Sequence, residues 1–169
     1  MPITTETLLA KEEIRELRHS FAWYLETSAP DALADLFCAD GVIDTGPWGR
    51  MEGQEAIRKG YGRAYRDMPQ FTALHAVTNP RLIVDGDEAE GTWYLLDFSL
   101  REANVNPLLI VALYEERYRR VDGVWKYAFL KLNYLWSAEK GRITPDNPMA
   151  VPVASRAAYR EAKATTAAE

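Results

Sequence analysis

At 169 residues, with 47% hydrophobic and 27% charged side chains, the chain has the composition of a single globular domain. A net charge of −5 and no basic cluster interleaved with aromatics argue against a nucleic-acid partner, and no run approaches the roughly 20 apolar residues of a membrane span. The opening residues, MPITTETLLAKEEIRE, lack the pattern of a secretory leader, and the single cysteine, Cys38, fits a reducing cytoplasm better than a disulfide framework.

Residues 5–27 carry Ile14, Leu17, Phe21, Tyr24 and Leu25 at three- and four-residue spacing. This predicts an amphipathic helix with Glu12, Glu13, Glu16 and Arg18 away from its apolar side. In SAPDALADLF, Ser28 and Asp31 make a capping-box-like start with Pro30 in the first turn, and Leu33, Leu36 and Phe37 form one apolar face. Cys38 ends that segment and reads as packing, not as a nucleophile. A short strand, VIDT, follows between Gly41 and Gly46, then a turn or hairpin at WGRMEG. A third helix, GQEAIRKGYGRAYRDM, carries Ile57, Tyr61, Ala64 and Tyr65 on one side.

From residue 71 the period becomes that of strands, at 71–84, 89–101, 108–121 and 124–136. DGDE and VDGV separate them as tight hairpins, and EANVNP makes a longer connection. After about residue 140 the chain turns polar and proline-bearing, so the expected division is a domain at 1–140 and a tail at 141–169, a lid or an inter-subunit arm. Helices first and a meandering antiparallel sheet second give an α+β class. Trp93, Leu95, Asp97 and Ser99 alternate with Thr92, Tyr94, Leu96, Phe98 and Leu100, and Tyr127, Phe129, Lys131 and Asn133 alternate with Ala128, Leu130, Leu132, Tyr134 and Trp136. With apolar residues on both faces, the helices cover one side of a curved sheet and a second subunit is expected on the other.

His75 and Asp97 are the informative pair. Each interrupts an aromatic-rich strand, where an imidazole or a carboxylate is costly to bury unless it is partnered or used. An imidazole near pKa 6.5 takes a carbon-bound proton when a carboxylate stabilises the imidazolium, and a carboxyl walled by aromatics can protonate a leaving hydroxyl. The plainer alternatives are a core histidine satisfied by backbone and a hydrogen-bonded strand aspartate. Tyr24, Tyr94, Tyr114 and Tyr134 are candidate phenol donors, Trp48, Trp93 and Phe129 candidate walls for an aromatic substrate, and Lys131 and Asn133 candidate polar contacts. His19 reads as exposed. Two histidines without ligand spacing predict no metal, and no glycine-rich loop precedes a helix to hold a nucleotide cofactor.

The order of elements and the stretch HAVTNPRLIVDGDEAEGTWYLLD resemble the SnoaL-like branch of the NTF2-like superfamily, as do IREL at 14–17, DALADLF at 31–37, the G-x-E-A-I of residues 53–57 and the Y-x-R-x-D-G-V-W-K of residues 118–126. That branch includes ketosteroid-isomerase-like enzymes, scytalone dehydratase, bile-acid 7α-dehydratase and hexachlorocyclohexane dehydrochlorinase, and the resemblance spans about residues 8–137. It implies a cone-shaped fold, a cofactor-independent site and a homotrimer, with a dimer through the sheet as the alternative. His75 matches the general-base histidine of the dehydratase and dehydrochlorinase members, and Asp97 matches an aspartate of bile-acid-dehydratase-like sequences. Glu26 stands where those relatives have the aspartate that orients the histidine, so the geometry must shift or the acid must pair elsewhere. Phe21 replaces an expected tyrosine, with Tyr24 one turn away.

The implied reaction is an acid/base elimination on a hydrophobic hydroxylated ring compound, an aromatic dimer, a polyketide or a steroid-like molecule. Water is the default leaving group, and release of formaldehyde from a lignin-derived diaryl compound is a second version. An isomerase or cyclase, and a non-catalytic binding module, are the competing readings on the same scaffold.

Overall fold

The computed structural model describes residues 4–67, 72–101 and 106–139. The expected tail at 141–169 lies outside the described residues. Three helices, α1 (Thr5–Glu26), α2 (Pro30–Asp35) and α3 (Gln54–Asp67), pack on strands β1 (Phe37–Asp44), β2 (Arg50–Glu52), β3 (Thr72–Asp85), β4 (Glu88–Arg101), β5 (Asn106–Val121) and β6 (Val124–Glu139). Among the described residues no helix is long and apolar enough to cross a membrane.

The capping box lies at the start of α1, where the Thr4 hydroxyl accepts from the Thr7 N–H and the Thr7 hydroxyl accepts from the Thr4 N–H. It does not lie at Ser28 as expected. Ser28 takes a positive φ of 54° as the chain turns, Ala29 stands before the helix, and Pro30 opens α2 with no side-chain cap. Arg18 is a second correction, because it is fully buried on the helix's inner side. It follows Ile14 by four residues and precedes Phe21 by three, so helical geometry places it within the apolar stripe. Cys38 is buried at the second position of strand β1, not at a helix end.

The six strands lie in the order β2-β1-β6-β5-β4-β3. The sheet is mixed, because β1 runs parallel to β6, with Ile43 beside Leu130, while the remaining pairs are antiparallel. The expected meander therefore holds for β3 to β6, and the early strand docks on its free edge. Asp122 and Gly123, at the β5–β6 turn, both have positive φ, as a type I′ hairpin demands.

Two irregularities decide which side chains face inward. In β3 the register shifts between Thr78 and Arg81, where Asn79 adopts φ 52° and Pro80 has no N–H to offer the ladder. His75 and Val77 face inward before this bulge, and Leu82 and Val84 are buried after it. In β6 an extra residue, Ala128, separates Tyr127 from Phe129. Tyr127 is therefore buried with Leu130 and Leu132, whereas Phe129, Lys131 and Asn133 turn to the outer face. Simple alternation had grouped Tyr127 with those three. Arg117 lies over the Phe129 ring at 4.7 Å on that outer side.

The core lies between the helices and the concave face of the sheet. Ile14, Phe21, Leu33, Phe37, Ile43, Ile57, Ala112 and Tyr127 are all at most 1% exposed. On the opposite face Leu74, Ile83, Leu96 and Phe98 stay exposed.

Candidate active site

His75 and Asp97 are direct cross-strand neighbours of β3 and β4. Their side chains point the same way, and His75 Nε2 lies 3.8 Å from Asp97 Oδ2. Asp97 Oδ1 accepts a 2.6 Å hydrogen bond from the Ser99 hydroxyl, two residues along the same face.

The last residue of α1 approaches from the other side. Glu26 Oε1 lies 3.8 Å from His75 Nδ1 and accepts a 2.8 Å hydrogen bond from the His75 backbone N–H. β3 is the open edge of the sheet, so that N–H has no neighbouring strand, and the glutamate supplies the acceptor. The longer glutamate side chain thus caps the backbone N–H and sets its charge near the ring, whose Nδ1 makes no hydrogen bond among the described residues. Both carboxylate-to-imidazole distances exceed hydrogen-bond length and fall within ion-pair range.

The side chains of His75 and Asp97 are only 9% and 10% exposed. Burial, with the Arg18 cation adding to it, pushes the imidazole down to about 4, so it is neutral at pH 7. Glu26 and Asp97 act in the opposite sense and would stabilise an imidazolium once a proton arrived.

His75, Asp97 and Ser99 open onto a cavity of about 750 Å³ between α1, α3 and the sheet. Its walls are apolar and aromatic: Phe21 and Leu25 from α1, Tyr61 and Tyr65 from α3, Leu95, Ile110, Tyr114, Leu130, Leu132 and Tyr134 from the strands. Burial raises the phenols of Tyr61, Tyr65 and Tyr114, so they remain protonated donors. The Tyr65 hydroxyl is buried with no hydrogen-bond partner among the described residues, whereas the Tyr134 hydroxyl donates to the Thr45 carbonyl at 3.2 Å. No group of three or more His, Cys, Asp or Glu side chains that could hold a metal occurs among the described residues.

The candidates divide accordingly. His75, Asp97, Phe21 and Tyr114 line the cavity, and Glu26 backs His75 from outside it. Tyr24 does not line it and packs against the core instead. Trp93 shares the inward face of Asp97 but is sealed in the core, donating from Nε1 to the Tyr118 hydroxyl at 2.9 Å. Tyr94 lies on the outer face with Leu96 and Phe98, and Phe129, Lys131 and Asn133 are outer for the bulge reason given above. Trp48 belongs to the 3-10 turn Gly46–Trp48, and its side chain lies outside the described ones.

Behind the Phe21 and Tyr114 walls of the cavity lies a buried ion pair, formed by the Arg18 expected on the solvent side and by Glu116. Arg18 is 0% exposed, with Nε 3.4 Å from Glu116 Oε1 and its guanidinium 4.1 Å from the centre of the Tyr114 ring. Glu116 accepts a short hydrogen bond from Tyr118. Burial works against the Arg18 charge, and Glu116 with the surrounding phenols more than offsets it.

Helices packed on a curved mixed sheet, with an imidazole and a carboxylate at an aromatic cavity and a second carboxylate behind the imidazole, make up an α+β cone fold of the NTF2-like kind. Residues 6–131 match the SnoaL-like domain, and the chain belongs to that family. No curated protein matches the chain in sequence. Among solved structures, a protein assigned as scytalone dehydratase from Novosphingobium aromaticivorans is 20% identical, with TM-score 0.74 over 88% of this chain and 98% of that one. The LinA-type3 hexachlorocyclohexane dehydrochlorinase of Novosphingobium barchaimii is 23% identical, with TM-score 0.70 over 81% and 94%. A protein of unknown function from Mycobacterium tuberculosis is 22% identical, with TM-score 0.68 over 86% and 80%. At such identities the likeness establishes the fold, which hosts dehydratase and dehydrochlorinase chemistry elsewhere.

Proposed function

We propose that this protein is a cofactor-independent lyase that eliminates a small group from a hydrophobic, hydroxylated ring compound. The observation that carries this reading is a nearly buried imidazole flanked by one carboxylate near each ring nitrogen at the wall of an apolar cavity. Asp97 lines the cavity and Glu26 does not, so Nε2 is the nitrogen turned toward substrate. His75 Nε2 removes the carbon-bound proton while Glu26 and Asp97 stabilise the imidazolium; the C–H electron pair becomes the new double bond as the C–O bond breaks, and the imidazolium returns the proton to the departing oxygen, which leaves as water. Tyr114 donates to an oxygen that gains charge.

The cavity volume falls in the usual range for a small-molecule site, and its aromatic walls suit an aromatic, diaryl or polyketide-like substrate. Water is the default leaving group and formaldehyde the second version. The exposed Leu74, Leu96 and Phe98 support a homo-oligomer in which another copy covers the outer sheet face, a trimer first and a dimer second. The single buried Cys38 suits a reducing, cytoplasmic setting.

The test is mass spectrometry of wild type and His75→Ala incubated with hydroxylated aromatic, diaryl and polyketide-like compounds. Loss of one water, or of one formaldehyde, with wild type alone supports the reading and names the leaving group. A product of unchanged mass and new retention time replaces it with isomerisation. Equal turnover by both proteins removes His75 from the chemistry.

A further inference from the structure

Arg18 is the largest fully buried side chain, and the proton-transfer scheme above leaves it unused. A guanidinium taken out of water is retained only against strong compensation. Here the compensation is the charge of Glu116 on one side and the face of Tyr114 on the other, with Phe21 at 4.9 Å, while none of the three guanidinium nitrogens makes a hydrogen bond among the described residues. Glu116 is itself held by Tyr118, which accepts from Trp93, so the charge sits on a fixed support. Phe21 and Tyr114 both line the cavity, which brings the cation within one aromatic ring of a bound ligand.

We propose that Arg18, pinned by Glu116 beneath the ring of Tyr114, is a positioning residue that supplies the cavity's fixed positive charge and selects ligands carrying negative charge on oxygen. The proposal rests on reading the cavity as the substrate site and names the substrate's chemical class as one that gains or bears an enolate- or phenolate-like oxygen. A cation stacked on a phenol ring stabilises negative charge on that phenol, so the Tyr114 hydroxyl becomes a stronger hydrogen-bond donor to such an oxygen. The same charge disfavours a second cation at His75, which keeps the base unprotonated. The other titratable groups around His75 are Glu26 from α1, Asp97 from β4, Tyr61 and Tyr65 from α3, and Tyr134 from β6. Arg50, Glu52, Lys59, Arg63 and Asp67 also reach the cavity, but all five are exposed, where water screens them.

Two measurements that involve no turnover test this. The first is NMR titration of His75 in wild type, Glu116→Gln and the double variant Arg18→Met/Glu116→Gln. The single variant leaves the cation uncompensated and should lower the His75 titration point. The double variant removes the cation and should raise it, by about one pH unit for a tenfold change in proton affinity. The second measures binding of 4-nitrophenolate and of neutral nitrobenzene by the same proteins. The double variant should lose at least about tenfold in the anion-to-neutral ratio, the size of a desolvated cation–π contact. Arg18→Lys, which keeps the charge, should retain most of the preference and serves if the double variant does not fold. An unchanged His75 titration or an unchanged binding ratio overturns the proposal. Failure to shed mass from any substrate would sink the elimination reading instead.

Discussion

Replacing His75 by asparagine should flatten the pH dependence of stability between pH 7 and pH 4. In the unfolded chain the imidazole binds its proton near 6.5, whereas in the folded protein burial and Arg18 hold it down to about 4. The unfolded state therefore binds more protons throughout that window, and stability falls as the pH drops through it. The full difference is present above 6.5 and has been lost below 4. At about 1.4 kcal/mol per pH unit it amounts to about 3 kcal/mol. The side chain is only 9% exposed, so solvent screening takes little from this figure. Asparagine keeps a polar group beside Glu26 and Asp97 but cannot take up the proton. Urea unfolding of both proteins at half-unit steps, read by tryptophan fluorescence, gives the comparison. Wild type should lose about 3 kcal/mol more than the variant, with equal m-values. Parallel profiles would show that the two carboxylates cancel the burial. A wild type relatively more stable at pH 4 would reverse the sign and refute the neutral-base argument.

Other perturbations follow from the same geometry. Glu26→Gln keeps an acceptor for the His75 backbone N–H but removes the charge, so folding should change by under about 1 kcal/mol while turnover falls by about 10²-fold or more; chemical denaturation and product assays separate the two. Arg18→Met leaves Glu116 buried and unpaired and should cost about 3–5 kcal/mol in urea unfolding, most of it recovered in Arg18→Met/Glu116→Gln. Gly91→Ala would place a methyl 2.8 Å from Leu82 Cδ2 and 3.0 Å from Tyr118 Cε2, and should destabilise by about 1–3 kcal/mol in the same assay. Lys131→Ala, on the outer face, should leave turnover within about twofold of wild type; a loss like that of His75→Ala would place it in the site after all.

Much of the scaffold was legible because local rules and tertiary structure agree. The Val121–Val124 hairpin carries Asp-Gly, the strand at Trp93–Ser99 alternates without interruption, and α1 repeats its apolar residues at helical spacing. The errors arise where one residue is inserted or a polar residue joins an apolar stripe. The Asn79–Pro80 bulge caused no such error, because His75 and Asp97 were paired on residue type and not on register. Counting back from the Asp85–Glu88 turn at constant register would set His75 opposite Phe98, and the bulge moves it to Asp97, creating the pair. Ala128 did cause one, for alternation carried Phe129, Lys131 and Asn133 toward a cavity they face away from. Arg18 was assigned to the solvent side on polarity alone, although its spacing to Ile14 and Phe21 places it inside. Its partner Glu116 alternates with the buried Tyr114 and Tyr118, a pattern visible in the sequence once β5 is divided by face.

The proposed elimination requires His75 to be a neutral base with Nδ1 toward Glu26 and Nε2 toward substrate. Nitrogen-15 NMR of the histidine ring at pH 7 reads this directly, with the exposed His19 assigned by its own substitution. The expected result is a neutral ring with the proton on Nδ1 and an unprotonated Nε2. An imidazolium, or a neutral ring carrying its proton on Nε2, would contradict it, because neither leaves a lone pair facing the cavity.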